Sequence, residues 1–436
     1  MKKCSMILAI LIWIGQGIAQ TPLGLEEALR LARQNNLQLQ KQQQKQKLGE
    51  LEVAVKRGQL LPSLDLIATT SYTDEIARLD VPFALPGGIT PRIELGGHDR
   101  TDLAIGIRQP IFTGFRLRTQ VSLARTALES ESSRLALLNQ QTAMQVYFLF
   151  YQAQSLKKER GIQEASLKRL SVQLDQARTL FQNVQVMAYD TLQVYNQTLQ
   201  LKIQIEQNRR DQRLVDLQMA RLLDLPETRT IVEADLQKPA DSVQSLENLK
   251  QIARRQRPEL STVHLGLRAA ELNQKLARGS YYPEIGAEAK YHYAKPGLNQ
   301  VADEWMDYTT IGVNLQWNLW RGNQDRHRAQ QAVVEYNRLA LEERELLRSI
   351  DYDVEKSLEN MNYAVKQIQL TEELRAQQQE RYRIITVQQR EGLTTTNDML
   401  VAEADLTLAE LQWQRALIQY HVSQTELLLA AGSIAE

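Results

Sequence analysis

The chain has 436 residues, with 52 Lys and Arg against 52 Asp and Glu, 43% apolar residues, 6% aromatics and one cysteine. This length accommodates one large domain or two to three ordinary ones, and zero net charge argues against nucleic acid as a partner, because nucleic-acid binders carry a basic excess. Only 20 Gly and 11 Pro point to long, uninterrupted helices instead of a loop-rich enzyme.

Met1, Lys2 and Lys3, the apolar run Met6 to Ile14 and the small-residue site Gly17-Ile18-Ala19 have the layout of a removable export signal over 1–19. The apolar core is too short to span a bilayer, and no later run of about 18 apolar residues follows. Cys4 lies ahead of that core, so cleavage leaves no cysteine for a disulfide, a thiol nucleophile or a metal site.

Residues 20–226 are expected to form one structural repeat and 227–436 a second. At an offset of 221, Leu25, Glu26, Ala32, Arg33, Leu39, Glu50, Leu51, Arg57, Gly58 and Pro62 recur as Leu246, Glu247, Ala253, Arg254, Leu260, Glu271, Leu272, Arg278, Gly279 and Pro283. Further on the offset is 208: Gly114 meets Gly322, Asp190 meets Asp398 and Leu192 meets Leu400. The difference lies between Pro62 and Gly114.

Each repeat opens on a helical stretch (24–58 and 245–279) that stops at Arg-Gly followed by proline. The hydrophobic period then changes to two, giving strands at about 63–74 and 102–112 in the first repeat and about 284–294 and 309–320 in the second. Leu64, Leu66 and Ala68, then Leu103, Ile105 and Ile107, alternate with polar or small residues; so do Ile285 to Tyr293 and Ile311, Val313, Leu315, Trp317 and Leu319. The Pro/Gly-rich stretch 76–100 and the shorter 295–308 read as exposed hairpin loops. After Gly114 and Gly322 the helical period returns. A heptad seam begins at Leu117, Val121, Ala124 and Leu128, and turns are expected at 183–189 and 391–397 before return helices over 190–224 and 398–431.

Four strands with one apolar face cannot close a barrel by themselves. They suit an outer-membrane barrel completed by other copies, two giving eight strands and three giving twelve; a sheet packed on a soluble core is the alternative. Ile105, Ile107, Val313 and Leu315 are the expected lipid-facing side chains. Tyr281, Tyr282, Trp317 and Trp320 fall at the helix-side strand ends, with Trp305 and Tyr308 at the other, as in the two aromatic girdles of a membrane barrel.

The duplicated unit, the opening LEEAL with NNLQL (25–39) and the turn sequence REGLTTTNDMLVAEADL (390–406) together resemble the TolC-like outer membrane efflux protein family over essentially the whole mature chain. The resemblance implies a mainly α fold with a β-barrel contribution, built from a duplicated helix–β-hairpin–long coiled-coil helix unit. It implies a homotrimer with a twelve-stranded outer-membrane barrel continuous with an α-helical periplasmic tunnel. It further implies a periplasmic membrane-fusion adaptor and an inner-membrane transporter as partners, and a tip that opens to release substrate. By the same resemblance Asp398 matches the first inward-facing acid of the tip, whereas Val401 stands where some relatives carry a second.

Chemistry finds little foothold. His98, His264, His292, His327 and His421 are scattered without metal-ligand spacing. Glu26-Glu27 and Glu342-Glu343 sit in charge-mixed helical stretches, and Asp351 and Asp353 lack the glycine and distal ligands of a calcium loop. No cofactor and no enzymatic activity are expected. The better candidates are the helix turns, where Gly392 can take a positive φ, Thr394 to Thr396 can cap the next helix and Asp398 falls in its first turn. In the first repeat Val184 replaces the glycine and Asp190 is kept. The functional expectation is an efflux duct carrying small molecules to the exterior. The alternatives are the outer-membrane component of a type I protein secretion system and a non-transporting periplasmic coiled-coil scaffold.

Overall fold

The computed structural model describes residues 23–80, 92–226, 229, 231, 232, 236 and 245–433. The expected export signal and the centre of the first hairpin connection (81–91) lie outside them. In chain order come α1 (Leu25–Asn35), α2 (Leu37–Gly58), β1 (Ser63–Tyr72), β2 (Ala77–Asp80), β3 (Arg92–Leu95), β4 (Asp99–Thr113), α3 (Arg116–Gln182) and α4 (Ala188–Leu222). The same order then repeats as α5 (Leu246–Gln256), α6 (Pro258–Gly279), β5 (Glu284–Lys295), β6 (Met306–Gln316), α7 (Gln324–Arg390) and α8 (Thr396–Ala430). At about 1.5 Å per residue, α3 and α7, of 67 residues each, are each about 100 Å long.

Three expectations are corrected. The opening helix of the first repeat is not continuous over 24–58: it breaks at Asn36, whose ψ is 119°. The Asn36 Oδ1 accepts the backbone N–H groups of Gln38 (2.9 Å) and Leu39 (3.2 Å), so this residue caps α2. The corresponding break in the second repeat falls at Arg257 (ψ 122°), before Pro258 at the first position of α6, where a missing N–H costs nothing. One geometry is thus reached by two chemistries. Secondly, the connection 76–100 carries a two-stranded ladder, β2 with β3. Thirdly, β6 runs Met306–Gln316 and not 309–320, so Trp317 and Trp320 lie past its end.

The repeat is most exact in the backbone. At the offset of 208, left-handed conformations recur at Gly114 and Gly322 (φ 58° and 61°), Phe115 and Asn323 (62° and 65°), Val184 and Gly392 (60° and 72°), and Asp224 and Gly432 (50° and 73°). The last two pairs end helices in one pattern: Gln185 N–H bonds Leu180 O and Leu393 N–H bonds Gln388 O, as Leu225 bonds Ala220 and Ser433 bonds Leu428. Gly114 is also held by crowding, since a Cβ there would lie 2.4 Å from the Gly279 carbonyl oxygen.

The chain packs as two compact units, each drawing on both repeats. One comprises residues 41–137 and 258–348 and contains a four-stranded antiparallel sheet of order β1-β4-β5-β6. The other comprises, among the described residues, 23–40, 138–226, 245–257 and 349–433 and is mainly helical. There α1 buries Ala28 and Ala32 against Val146, Phe150, Val215 and Met219. In α8, Met399, Ala402, Leu406, Ala409, Ala416, Tyr420, Ser423, Leu427 and Ala430 are buried, and with the partly buried Trp413 they keep alternating three- and four-residue spacing, the signature of knobs-into-holes packing. Every seventh residue from Ala402 to Ala430 is Ala or Ser, which lets a neighbouring backbone approach closely.

Val184 is a β-branched residue in a left-handed conformation and is 91% exposed, so its strain is not offset by packing. Left-handed geometry costs an L residue about 1–2 kcal/mol, part of which glycine returns as chain entropy. Val184→Gly should therefore stabilise this turn by about 1 kcal/mol, slowing exchange of the Gln185 amide about fivefold, whereas Gly392→Val should speed exchange of the Leu393 amide. Equal exchange in wild type and Val184→Gly would refute the strain.

Candidate functional site

The sheet separates two chemistries by its register. Across the strands Leu66 pairs with Ile105 and Ile105 with Tyr291, while Leu64, Ile107, Ala289 and Ile311 form the next apolar row. Val313 faces Ala287 and Leu315 faces Ile285, continuing that face. Ile105, Ile107, Val313 and Leu315 are 47%, 51%, 71% and 63% exposed, so the described residues leave them largely uncovered. Intervening rows carry Asp65, Gly106, Lys290 and Thr310, then Ile67, Ala104, His292 and Tyr308. On this polar face the His292 Nδ1 lies 3.0 Å from Asp102, its Nε2 lies 3.1 Å from Thr310 Oγ1, and the Tyr308 ring stacks on it at 4.7 Å. With both nitrogens engaged and a face covered, His292 ties three strands together.

The aromatic residues gather at both ends of the sheet. Trp317 Nε1–H donates to the Tyr281 carbonyl (3.2 Å), and Tyr282, Trp317 and Trp320 are 49%, 54% and 79% exposed. Phe112 and Phe115 pack edge-on to each other and to Tyr282 at 5.3–6.4 Å, two members of this group that sequence alternation missed. At the opposite end Trp305 stacks on Tyr293 at 4.7 Å.

At the second helical turn, Thr395 caps α8: its Oγ1 accepts the Asp398 N–H (3.1 Å), and Asp398 Oδ2 accepts from the Thr395 N–H (3.1 Å), Thr395 Oγ1 (2.6 Å) and Thr394 Oγ1 (3.1 Å). This is a complete capping box. The hydroxyl of Thr395 first, then its N–H and the Thr394 hydroxyl, hold the Asp398 carboxyl below the usual carboxylate range. Asp398 is therefore ionised at neutral pH although it caps a helix. In the first turn Asp190 accepts the Met187 N–H (3.0 Å) and, among the described residues, no hydroxyl, because Met187 has none to return the bond. Gly392 has the positive φ expected of it.

A second polar centre, unforeseen from sequence, lies inside the helical unit. Glu403 is 1% exposed, and its Oε1 accepts from Ser166 Oγ (2.7 Å), Arg169 Nε (3.1 Å) and Thr407 Oγ1 (2.9 Å). Arg169 also donates to Thr407 (2.8 Å) and Glu410 (3.2 Å) and lies over the Tyr382 ring at 5.9 Å. The only sequence signal was an acid beside an apolar heptad position. Asp351 and Asp353 are used otherwise: Arg254 grips Asp351 with two bonds (2.6 and 3.0 Å), and Arg257 bonds Asp353 (3.1 Å). Among the described residues no cluster of His, Cys, Asp or Glu could hold a metal ion, and no helix is long and apolar enough to cross a membrane.

The sequence matches the family described as outer membrane efflux protein over residues 28–223 and 249–433. The chain belongs to that family: it is an outer-membrane channel protein with a helical periplasmic part, and not an enzyme. Solved structures share its fold. The outer membrane protein VceC of Vibrio cholerae is 16% identical with a TM-score of 0.75, over 94% of this chain and 96% of that one. The CmeC outer membrane channel of Campylobacter jejuni is 13% identical with a TM-score of 0.78, over 94% and 87%. A membrane protein from Pseudomonas aeruginosa is 13% identical with a TM-score of 0.79, over 93% and 92%. No curated protein sequence matches the chain.

Breaking a buried ion pair from one side strands the other charge, at about 3–5 kcal/mol. Arg169→Met should destabilise the helical unit by that amount in urea unfolding followed by circular dichroism. Adding Glu403→Leu should recover most of the loss, because no buried charge then remains. A double variant as unstable as the single one would show that Arg169 acts by packing alone.

Proposed function

We propose that this protein is the outer-membrane duct of a tripartite efflux system, working as a homotrimer with a periplasmic membrane-fusion adaptor and an inner-membrane transporter, and exporting small molecules. The observation that carries this reading is the open sheet: among the described residues β1 and β6 each leave one edge unpaired while the apolar face stays exposed. Joining β6 of one copy to β1 of the next, three times, makes a closed ring of twelve strands with no edge facing lipid. Family membership supports the assembly and its location. In this reading Ile105, Ile107, Val313 and Leu315 contact lipid, and Tyr281, Tyr282, Trp317 and Trp320 lie at the periplasmic interface. The turns carrying Gly392, Asp398 and Asp190 form the periplasmic gate.

Light scattering of the detergent-extracted protein should give the mass of three chains; a stable monomer or dimer would overturn the proposal. Ile107→Arg should lower the stability of the assembly by about 2–4 kcal/mol, the cost of a cation at mid-membrane depth. An unchanged melting profile would remove Ile107 from the lipid face.

The gate is tested in planar bilayers. Three ionised copies of Asp398 around a narrow opening attract cations. Asp398→Asn keeps an acceptor for Thr395 but removes the charge, so cation preference should fall severalfold while helix content is unchanged. Unaltered selectivity would leave Asp398 with its capping role alone.

A further inference from the structure

We infer that the strand-to-helix junction of the second repeat holds a binding pocket for small organic anions, which names a solute class for the duct proposed above and rests on that reading. The pocket has a volume of about 400 Å³, and Arg116, Arg321, Arg328, Asn273, Ser280 and Tyr282 are among its lining residues. Cavities that hold small molecules start at about 300 Å³, so a compact molecule fits. Three arginines line it, and two of them have a carboxylate within reach. Glu284 is bonded to Arg116 at 2.9 Å, and Asp325 comes only within 3.9 Å of Arg321. Among the described residues Arg328 forms no ion pair or hydrogen bond.

The surrounding sequence amplifies this imbalance. Segments 113–128 and 317–330 together carry Arg116, Arg118, Arg125, Arg321, Arg326 and Arg328 against Asp325 alone. Arg254, by contrast, is neutralised by Asp351 through two short bonds. A guanidinium left without a partner binds an anion without first breaking an ion pair, and its planar fork matches a carboxylate or phosphate. Asn273 adds a neutral donor, the Ser280 hydroxyl being spent on the Ala277 carbonyl (2.7 Å), and the half-exposed Tyr282 ring offers a flat apolar wall.

The register decides which anion is meant. Thr113, Glu284 and Gln316, which also line the pocket, form one cross-strand row. That row alternates with the apolar row of Ile285 and Leu315 and so belongs to the polar face. A lipid headgroup would approach from the apolar face, whereas a dissolved solute reaches the polar one. The ligand class is therefore a compact organic acid, with an aromatic ring favoured by Tyr282.

Isothermal titration of the detergent-solubilised full chain with isophthalate tests this, with the neutral isophthalamide, inorganic phosphate and short-chain phosphatidylglycerol as comparisons. Isophthalate should bind and the diamide should not. Arg328→Gln should weaken binding about tenfold, the worth of one charge-assisted hydrogen bond. Arg321→Gln should also weaken it, and Arg328→Lys should restore part of the loss. Arg326→Gln removes an equal charge outside the pocket lining and should leave the affinity within about twofold, the range of a screened surface charge. Equal binding of the diamide, an unaffected Arg328→Gln variant, an equal loss in Arg326→Gln, or binding of phosphatidylglycerol alone would each overturn the pocket. Titration needs no conduction, so bilayer currents measured separately distinguish failure of the duct from failure of the site.

Discussion

Every peptide group at a sheet edge needs a hydrogen-bond partner, and lipid supplies none. That constraint bears on this protein because β1, β4, β5 and β6 form one layer with two open edges and an apolar face that the described residues leave largely uncovered. A chain twice as rich in strands could close on itself; this one spends most of its length on helix. The duplication supplies two hairpins whose joint is the pairing of β4 with β5, one strand from each repeat. The two ends of the sheet are then strands of different repeats, β1 and β6, which makes the free edges non-identical and suits head-to-tail closure between copies.

The two repeats share a backbone but not a chemistry. Left-handed residues recur at the same offset, yet Gly392 is answered by Val184 and Gly432 by Asp224. The capping box at Thr395 and Asp398 has only half a counterpart at Met187 and Asp190. The buried pair is asymmetric too: at the positions equivalent to Glu403 and Arg169 stand Tyr195 and Gln377. Helix-ending geometry depends on local sterics that several residues satisfy, so it survives divergence. A buried charge needs its partner on another helix, so such a centre arises in one repeat without being copied in the other.

The exposed basic junction belongs to the same asymmetry. Arg321 and Arg328 correspond to Thr113 and Gln120, and Arg116 corresponds to Gln324. Each repeat thus places these arginines where the other has an uncharged residue, while Arg118 and Arg326 are matched. The conserved geometry supplies the scaffold, and the chemistry that meets a solute comes from the positions at which the repeats differ.

Periodicity and punctuation are local, and what they govern was legible in the amino-acid sequence. The change of period from 3.6 to two located all four long strands, and the alternation sorted Ile105, Ile107, Val313 and Leu315 onto one face. The turns at Val184 and Gly392 were visible from the return of the helical pattern on either side. The break at Asn36 was not, because a single polar residue in a Gln-rich helix is ambiguous until its side chain is seen to cap α2. The end of β6 was overrun because Trp317 and Leu319 keep the alternation after the ladder has stopped at Gln316. Only the tertiary structure could bring Asp102 to His292, Arg169 to Glu403, and Arg116, Arg321 and Arg328 around one cavity. Asp102 and His292 lie 190 residues apart and Arg169 and Glu403 lie 234 apart, and Arg116 comes from the other repeat than Arg321 and Arg328; they meet through strand register and helix packing, which no local pattern encodes.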